Sequence, residues 1–407
     1  MVWRAMRLSL RQMRHRPQKT VLAVVGIAFP VCMIFLQLGF LGAVIESAES
    51  VLGRLQFDVL LHSPAYSTVG DAGEVPRERL AQSLAVDGVT DVTPLAIGNA
   101  IWRGEQEVQR DGRLVDSLER AVSPTIDARG REPIGIRPLM VFGVRSGTQP
   151  FTIPEIVRAS PRLIRPGTVL MDRKSHRRFG QTDPGTQAEA SGQAVEVIGN
   201  FSLGTGFAAD GAIVVSEDDF ARLTGRTLPD GTAPVSLGLV EADGDPGRVA
   251  QTLNAILPPD TRATPRETVI ARDRRHWVYE EAIGLIFCFG VGVAFVVGMA
   301  IIVQILTSDI ADHEKEYATL KAMGYSGSHL SRVVESQAIV LAILAFAASL
   351  ALTYWLLDML CQSWVNLPVR LWWWRIAVTF ALTLGMCYAS ARMAIRKVQT
   401  SDPAGLF

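Results

Sequence analysis

The sequence of 407 residues predicts an α-helical membrane protein with four transmembrane helices plus a large α+β extracytoplasmic domain inserted between helices 1 and 2. Three observations predict it. Four windows contain no Asp, Glu, Lys or Arg: Thr20–Ile45, Ala282–Ser308, Ser336–Leu357 and Ile376–Ala391, of 26, 27, 22 and 16 residues. The 40 basic and 40 acidic side chains crowd into the rest of the chain, where about one residue in four is charged, the usual proportion in soluble domains. Residues 46–281 carry the alternating strand and helix patterns of a folded domain rather than a linker. A zero formal charge disfavours both a strongly basic nucleic-acid binder and an acidic disordered chain.

Residues 1–19 hold Arg4, Arg7, Arg11, Arg14, Arg16 and Lys19 with no acid, so they are expected in the cytoplasm. The first window, 20–45, is transmembrane helix 1: its 26 uncharged residues exceed the apolar core of a signal peptide, so it reads as an uncleaved anchor. The windows 282–308 and 336–357 also suffice for about 30 Å of hydrocarbon. The shorter 376–391 follows Trp372, Trp373 and Trp374, which read as an interfacial belt, with Arg375 expected to snorkel into the headgroups. Four crossings return the tail, 392–407, to the cytoplasm with the loop 309–335, and 358–375 is a short external loop. Twelve Lys/Arg on the cytoplasmic segments against two on that loop agree with this orientation.

The extracytoplasmic segment 46–281 has 26 basic and 33 acidic residues and none of the four cysteines, so no disulfide framework holds it. Near helix 1 the pattern reads strand Phe57–His62, helix Pro76–Ala85 and strand Val89–Arg103; near helix 2 it reads strand Val235–Glu241, helix Asp245–Leu257 and extended Thr261–Ala263. These flanks, about 51–145 and 233–270, suggest one membrane-proximal α+β subdomain around a β-rich insertion at about 146–232. Residues 104–136, rich in Arg, Glu, Asp and Gly, read as a long loop.

No Gly-Lys dipeptide occurs, so the chain has no Walker A loop and does not bind ATP by that route. Gly204–Ala209 imitates a dinucleotide fingerprint, but a strand-like Ala212–Ser216 follows where the motif needs a helix. The six histidines fall at no metal-ligand spacing, and no nucleophile elbow appears, which disfavours a membrane-anchored enzyme. Arg173, Lys174, Arg177 and Arg178 form a basic cluster that reads as a solvated face or a surface for anionic lipid or a partner. Inside the windows, Pro30, Gln37 and Gln304 read as structural, and Gly284, Gly290, Gly292 and Gly298 thin the second helix for a bundle or dimer seam. In the loop 309–335, Tyr317, Leu320 and Gly324 share a helical face before a Gly-Tyr-Ser-Gly break. The acids Asp309, Asp312, Glu314 and Glu316 favour a protein partner over anionic lipid.

With Glu316, Ala318, Leu320, Lys321, Ala322 and Gly324 in the pattern E-x-A-x-L-[KR]-A-x-G, that loop resembles the coupling helix of FtsX/MacB-type permeases of ABC exporters. The ending Ala391-Arg392, Arg396 and Asp402-Pro403-Ala404 is similar to theirs. Gln37–Phe40, Val169–Asp172, Phe201–Gly211 and Glu316–Tyr325 resemble the DevC subfamily more closely, from about residue 8 to the end. The charged 104–136 segment departs from that pattern. The resemblance implies a homodimeric permease of the bacterial inner membrane that exports a lipid, glycolipid or other envelope substrate. It further implies that ATP and Mg sit on a separate ABC ATPase, with a periplasmic membrane-fusion adaptor and an outer-membrane duct as partners and no nucleic acid. The ATPase-coupling residues are then Glu314, Glu316, Tyr317, Leu320, Lys321, Met323, Gly324 and Tyr325, and no residue of this chain is catalytic. An FtsX-like regulator that transmits ATPase state to an envelope enzyme is the alternative.

Overall fold

The computed structural model describes residues 17–104, 138–175, 179–204, 209–312, 327–357 and 372–400, with 359 and 369. They fall into two compact units. One holds the described residues up to Gly42 and those from Ala282 onward; the other holds Ala43–Glu281.

The first unit is helical. Helices α1 (Pro17–Leu52), α7 (Ala282–Asp312), α8 (Gly327–Leu357) and α9 (Trp373–Thr400) are long and apolar enough to cross a membrane. Each runs past at least one end of its charge-free window; α1 continues through Glu46 and Glu49, because an α-helix needs no apolar side chains once it leaves hydrocarbon. Its core joins Ile27, Val31 and Phe35 of α1, Ile302 and Leu306 of α7, Leu341 and Ala345 of α8, and Met386 and Ala391 of α9. Small residues let the helices approach: the Gly298 backbone lies against Pro30 and Met386, and that of Gly290 against the Gln37 side chain. Hydroxyls supply cross-helix bonds, from Ser349 Oγ to the Ala28 carbonyl (2.9 Å) and from Ser390 Oγ to the Met299 carbonyl (3.2 Å).

Arg375 corrects the expectation of a snorkelling side chain. It lies in the first turn of α9 and is 3% exposed; its guanidinium rests on the Gly42 backbone of α1 and stands 5.3 Å from the Trp374 ring. The absence of a side chain at Gly42 leaves the space that the guanidinium fills.

The second unit is a nine-stranded mixed sheet in the order β3-β7-β4-β6-β5-β2-β8-β1-β9. The strands are β1 (Val59–His62), β2 (Val89–Arg103), β3 (Pro138–Val144), β4 (Thr168–Asp172), β5 (Gln187–Ala190), β6 (Gln193–Phe201), β7 (Ala212–Ser216), β8 (Leu237–Ala242) and β9 (Arg262–Pro265). The helices are α2 (Arg77–Leu84), α3 (Pro154–Ala159), α4 (Glu217–Thr224), α5 (Pro246–Ile256) and α6 (Arg266–Arg275), with a π turn at His276–Glu280. The flanks and the inserted stretch therefore do not form separate sheets. Fifteen-residue β2 joins them: Val89–Leu95 pairs with β8, Leu95–Ile101 with β3, and Trp102 and Arg103 with β5.

Alternation along the strands sends side chains into different cores. Leu60, Leu95, Ile97, Phe142, Leu170, Val214 and Leu239 enter one, with Val51 and Leu52 from the end of α1 and Val269 from α6. From the other face, Trp102, Val141, Met171 and Ile213 pack with Phe220 of α4, while Val59, Leu61 and Val240 pack with Leu80 of α2 and Leu253 of α5. Both faces are covered, which explains why β3, β4 and β7 read as continuous apolar runs. The strand at Ala212–Ser216 is β7, so the glycine-rich stretch before it does not open a helix.

Candidate functional site

The residues expected to couple to an ATPase, Glu314, Glu316, Tyr317, Leu320, Lys321, Met323, Gly324 and Tyr325, lie outside the described residues, as do 105–137, Arg177, Arg178 and 205–208. The described residues show where the chain enters and leaves the segment 313–326. Helix α7 delivers it at Asp312 and helix α8 receives it at Gly327.

Asp309 and Asp312 occupy the last turn of α7, where the partial negative charge of a helix C-terminus disfavours carboxylates. Each is compensated from another helix. Lys19 Nζ, in the first turn of α1, donates to Asp312 Oδ2 at 2.5 Å. Gln337 Nε2 of α8 donates to Asp309 Oδ2 at 2.7 Å. The end of α7 is thereby tied to α1 and α8 immediately before residue 313. Arg392 of α9 stacks on the Tyr388 ring, donates to its hydroxyl from Nε and Nη2 (3.2 and 2.9 Å), and faces Glu335 of α8 at 3.9 Å.

Between these ends of α1, α7 and α8 is a cavity of about 460 Å³. Leu22, Ala23, Gly26, Ile301, Ile305 and Leu341 give it apolar walls, and Lys19, Asp309, Asp312 and Gln337 a polar end. Gln304 also lines it, so this glutamine faces a cavity rather than a neighbouring helix alone. Gln37, the other amide in the charge-free windows, packs on Gly290.

In the α+β domain, the two segments that run toward the apolar helices are bound to each other. The Arg266 guanidinium donates to the carbonyls of Gly53 (3.0 Å), Leu55 (2.8 Å) and Phe57 (3.2 Å), and stands 4.9 Å from the Phe57 ring. Arg274 reaches Glu49 at 3.5 Å. Buried Asp273, on the same helix α6, accepts from the Tyr66 hydroxyl. Removal from water pushes its carboxyl up to about 6 against the opposing pull of Tyr66, Arg272, the Val69 N–H and His276. His62 stacks beside Tyr66 with 5.0 Å between ring centroids, and burial drops its imidazole to about 4. Neutral His62 must donate from Nδ1 to the Ser63 carbonyl (2.7 Å) and accept at Nε2 from the Thr264 hydroxyl (3.0 Å). These are packing and docking contacts. Among the described residues no group of three or more His, Cys, Asp or Glu is placed to hold a metal.

The motifs Val169–Asp172 and Phe201–Gly211, read separately in the sequence, meet in the fold. The Asp172 carboxylate accepts the backbone N–H groups of Lys174 (3.0 Å), Leu203 (3.1 Å) and Gly204 (2.7 Å). The aspartate therefore fastens a turn. Arg173 and Lys174 flank that turn.

No curated protein matches the chain. Among solved structures, the extracellular domain of the ABC-type transporter YknZ from Gram-positive bacteria is similar at 14% identity and a TM-score of 0.28, covering 51% of this chain and 100% of that one. The periplasmic region of MacB from Actinobacillus actinomycetemcomitans is similar at 9% identity and a TM-score of 0.30, covering 55% of this chain and 95% of that one. The family model for the FtsX-like permease C-terminal region matches residues 288–403, a stretch that takes in most of α7, residues 313–326, α8 and α9.

Proposed function

We propose that this chain is the permease subunit of an ABC exporter in the bacterial inner membrane. Residues 313–326 dock on a separate ATPase in the cytoplasm, and ATPase closure moves the α+β domain on the periplasmic side. The observation that carries this reading is the FtsX-like permease match across 288–403; the E-x-A-x-L-K-A-x-G pattern of Glu316–Gly324 falls within that stretch of the sequence, which supports it. The ties from α7 to α1 and α8 support it, because a push on residue 313 reaches three helices at once. A homodimer, a membrane-fusion adaptor, an outer-membrane duct and a lipid, glycolipid or other envelope substrate complete the proposal. Tyr317, Leu320, Met323 and Gly324 seat in the ATPase, and Glu314, Glu316, Lys321 and Tyr325 border them.

Co-purification with a candidate ABC ATPase from the same source tests the reading. The complex is expected with the unaltered permease and is expected to be lost in Leu320→Asp and Gly324→Arg proteins that still fold. Retention of the ATPase by both variants would overturn the coupling assignment.

A further inference from the structure

We propose that the π turn joining α6 to α7 holds a membrane phospholipid by its phosphate, with Arg275 binding that group and Tyr279 as its aromatic seat. The inference uses no residue of the segment 313–326 and does not depend on an ATPase or a transported substrate. The guanidinium expected among the headgroups, that of Arg375, is buried against Gly42. Arg275 offers one in its place. The charge-free run of α7 starts at Ala282, so Tyr279 precedes it by three residues and Arg275 by seven. At about 1.5 Å per residue these lie roughly 4 and 10 Å outside the hydrocarbon, and the headgroup layer is about 5–7 Å deep. The tyrosine ring falls within that layer, and the long stem of Arg275 reaches back to it. Helix α1 gives the same level. Arg266 binds the Gly53 carbonyl and Arg274 reaches Glu49, so α6 runs beside the end of α1 toward Ile45, where the charge-free run of that helix stops.

The last turn of α6 carries three cations, and two are engaged within the domain. Arg272 stands 4.8 Å from the Tyr66 ring, and Arg274 faces Glu49. Arg275 is exposed and makes no ion pair among the described residues. The acids of the turn, Glu280 and Glu281, are held by His276 at 2.8 and 3.3 Å. The turn closes from the Glu281 N–H to the His276 carbonyl at 3.0 Å, and it buries Val278 while leaving the large Tyr279 ring 65% exposed. Arg275 and Tyr279 are four residues apart and so lie within one turn of each other on the exposed side. A guanidinium takes two phosphate oxygens at once, and a phenol presents an apolar ring with a polar tip. Together they suit a phosphodiester at a membrane surface, whereas an acidic protein segment would have to enter the headgroup layer to reach the same pair.

Photocrosslinking tests this, with p-benzoylphenylalanine in place of Tyr279 in the full chain, irradiated in the membranes of the expressing cells before purification. The main adduct is expected to carry the mass of a phospholipid. Its yield should fall about tenfold in Arg275→Glu protein, the scale of one charge-assisted hydrogen bond. Arg275→Lys, a point charge without the fork, should give an intermediate yield. Both variants should melt with the parent in detergent, because the side chain is exposed. An unchanged lipid yield in Arg275→Glu protein would overturn the phosphate contact, and a main adduct to a second copy of the chain or to another protein would overturn the lipid as occupant. Native mass spectrometry with the natural Tyr279 reads the same question without the photoprobe: Arg275→Ala should retain fewer bound phospholipids than the parent, and equal numbers overturn the proposal.

Discussion

The Tyr66 hydroxyl lies 2.9 and 3.1 Å from the two carboxylate oxygens of Asp273, joining the loop after β1 to helix α6 in the interior of the α+β domain. The hydroxyl donates, the carboxylate accepts, and Asp273 is 1% exposed. The chain runs from α6 through the π turn into α7, so this bond fixes the last element of the domain before the apolar helices.

Burial costs the charged carboxylate more than its partners return, which is why its pKa stands at about 6 rather than 3.8. The folded state holds this proton more tightly than the unfolded state. Its relative stability is therefore fully present below about pH 3.8 and is lost as pH rises through about 6, at a scale of about 3 kcal/mol. Asp273→Asn keeps an acceptor for Tyr66 and removes the charge. Thermal melts of the detergent-solubilised chain should show the variant more stable by several degrees at pH 7.5, with the gap closing toward pH 4. A variant less stable than the parent at pH 7.5 would show that the carboxylate's remaining interactions outweigh its burial.

Arg266 gives a second prediction. Three carbonyls just beyond the end of α1 receive its guanidinium, and a planar fork reaches all three where a point-like ammonium does not. Arg266→Ala should destabilise the domain by about 2–4 kcal/mol, and Arg266→Lys should recover less than half of that loss. Hydrogen exchange should localise the damage, with faster exchange in residues 53–57 and 262–270 and little change in β4 and β7. Uniform exchange across the sheet would rule out a local clamp.

Much of this domain is legible in the sequence because the signals are local. The α2 and α5 helices and strands β2, β7 and β8 announce themselves through periodicity over a few residues, and the structure has them within a few residues of the expected bounds. The single sheet is not legible. Nothing local in Val141 says that it pairs with Ile213, or in Leu95 that it lies between β3 and β8, since register is set by long-range packing. The same limit hides Asp309–Gln337, two polar residues 28 positions apart that meet only because the fold brings the end of α7 to α8. It also hides Arg375, whose place is created by a missing side chain on another helix. The face on which the sequence pattern sets Tyr317 and Leu320 lies outside the described residues.

Phe220 and Gly143 show how closely helix α4 approaches the sheet. A methyl group on Gly143 would stand 2.7 Å from the Phe220 Cβ and 2.8 Å from its Cγ, and one on Gly98 would stand 3.0 Å from the Phe220 ring edge. The absence of side chains on two adjacent strands makes the groove that this phenylalanine fills. Gly143→Ala should destabilise by about 1–3 kcal/mol through overpacking. Phe220→Ala should cost about 3–5 kcal/mol alone, yet the double variant should lose less than the sum. Strict additivity in denaturant melts would show that the two residues do not compete for the same space.

Gly42 and Arg375 provide the corresponding test in the helical unit. The guanidinium lies where a Gly42 side chain would project, so even a methyl group at that position collides with it. Relief by rotating the guanidinium away requires Arg375 to leave a site where it is 3% exposed and next to the Trp374 ring. Gly42→Ala should therefore lower the melting temperature of the solubilised chain, and Gly42→Val should lower it further. Arg375→Ala in the Gly42→Val background should restore part of the loss because it vacates the same space, although on its own it removes the cation–π contact, worth about 0.5–2 kcal/mol. A snorkelling arginine predicts a different pattern, since its head would lie in the headgroup layer and a methyl group on Gly42 would meet nothing. Equal melting temperatures for the parent and Gly42→Ala would then favour the exposed side chain, whereas a loss rescued from position 375 can come only from direct contact between the two helices.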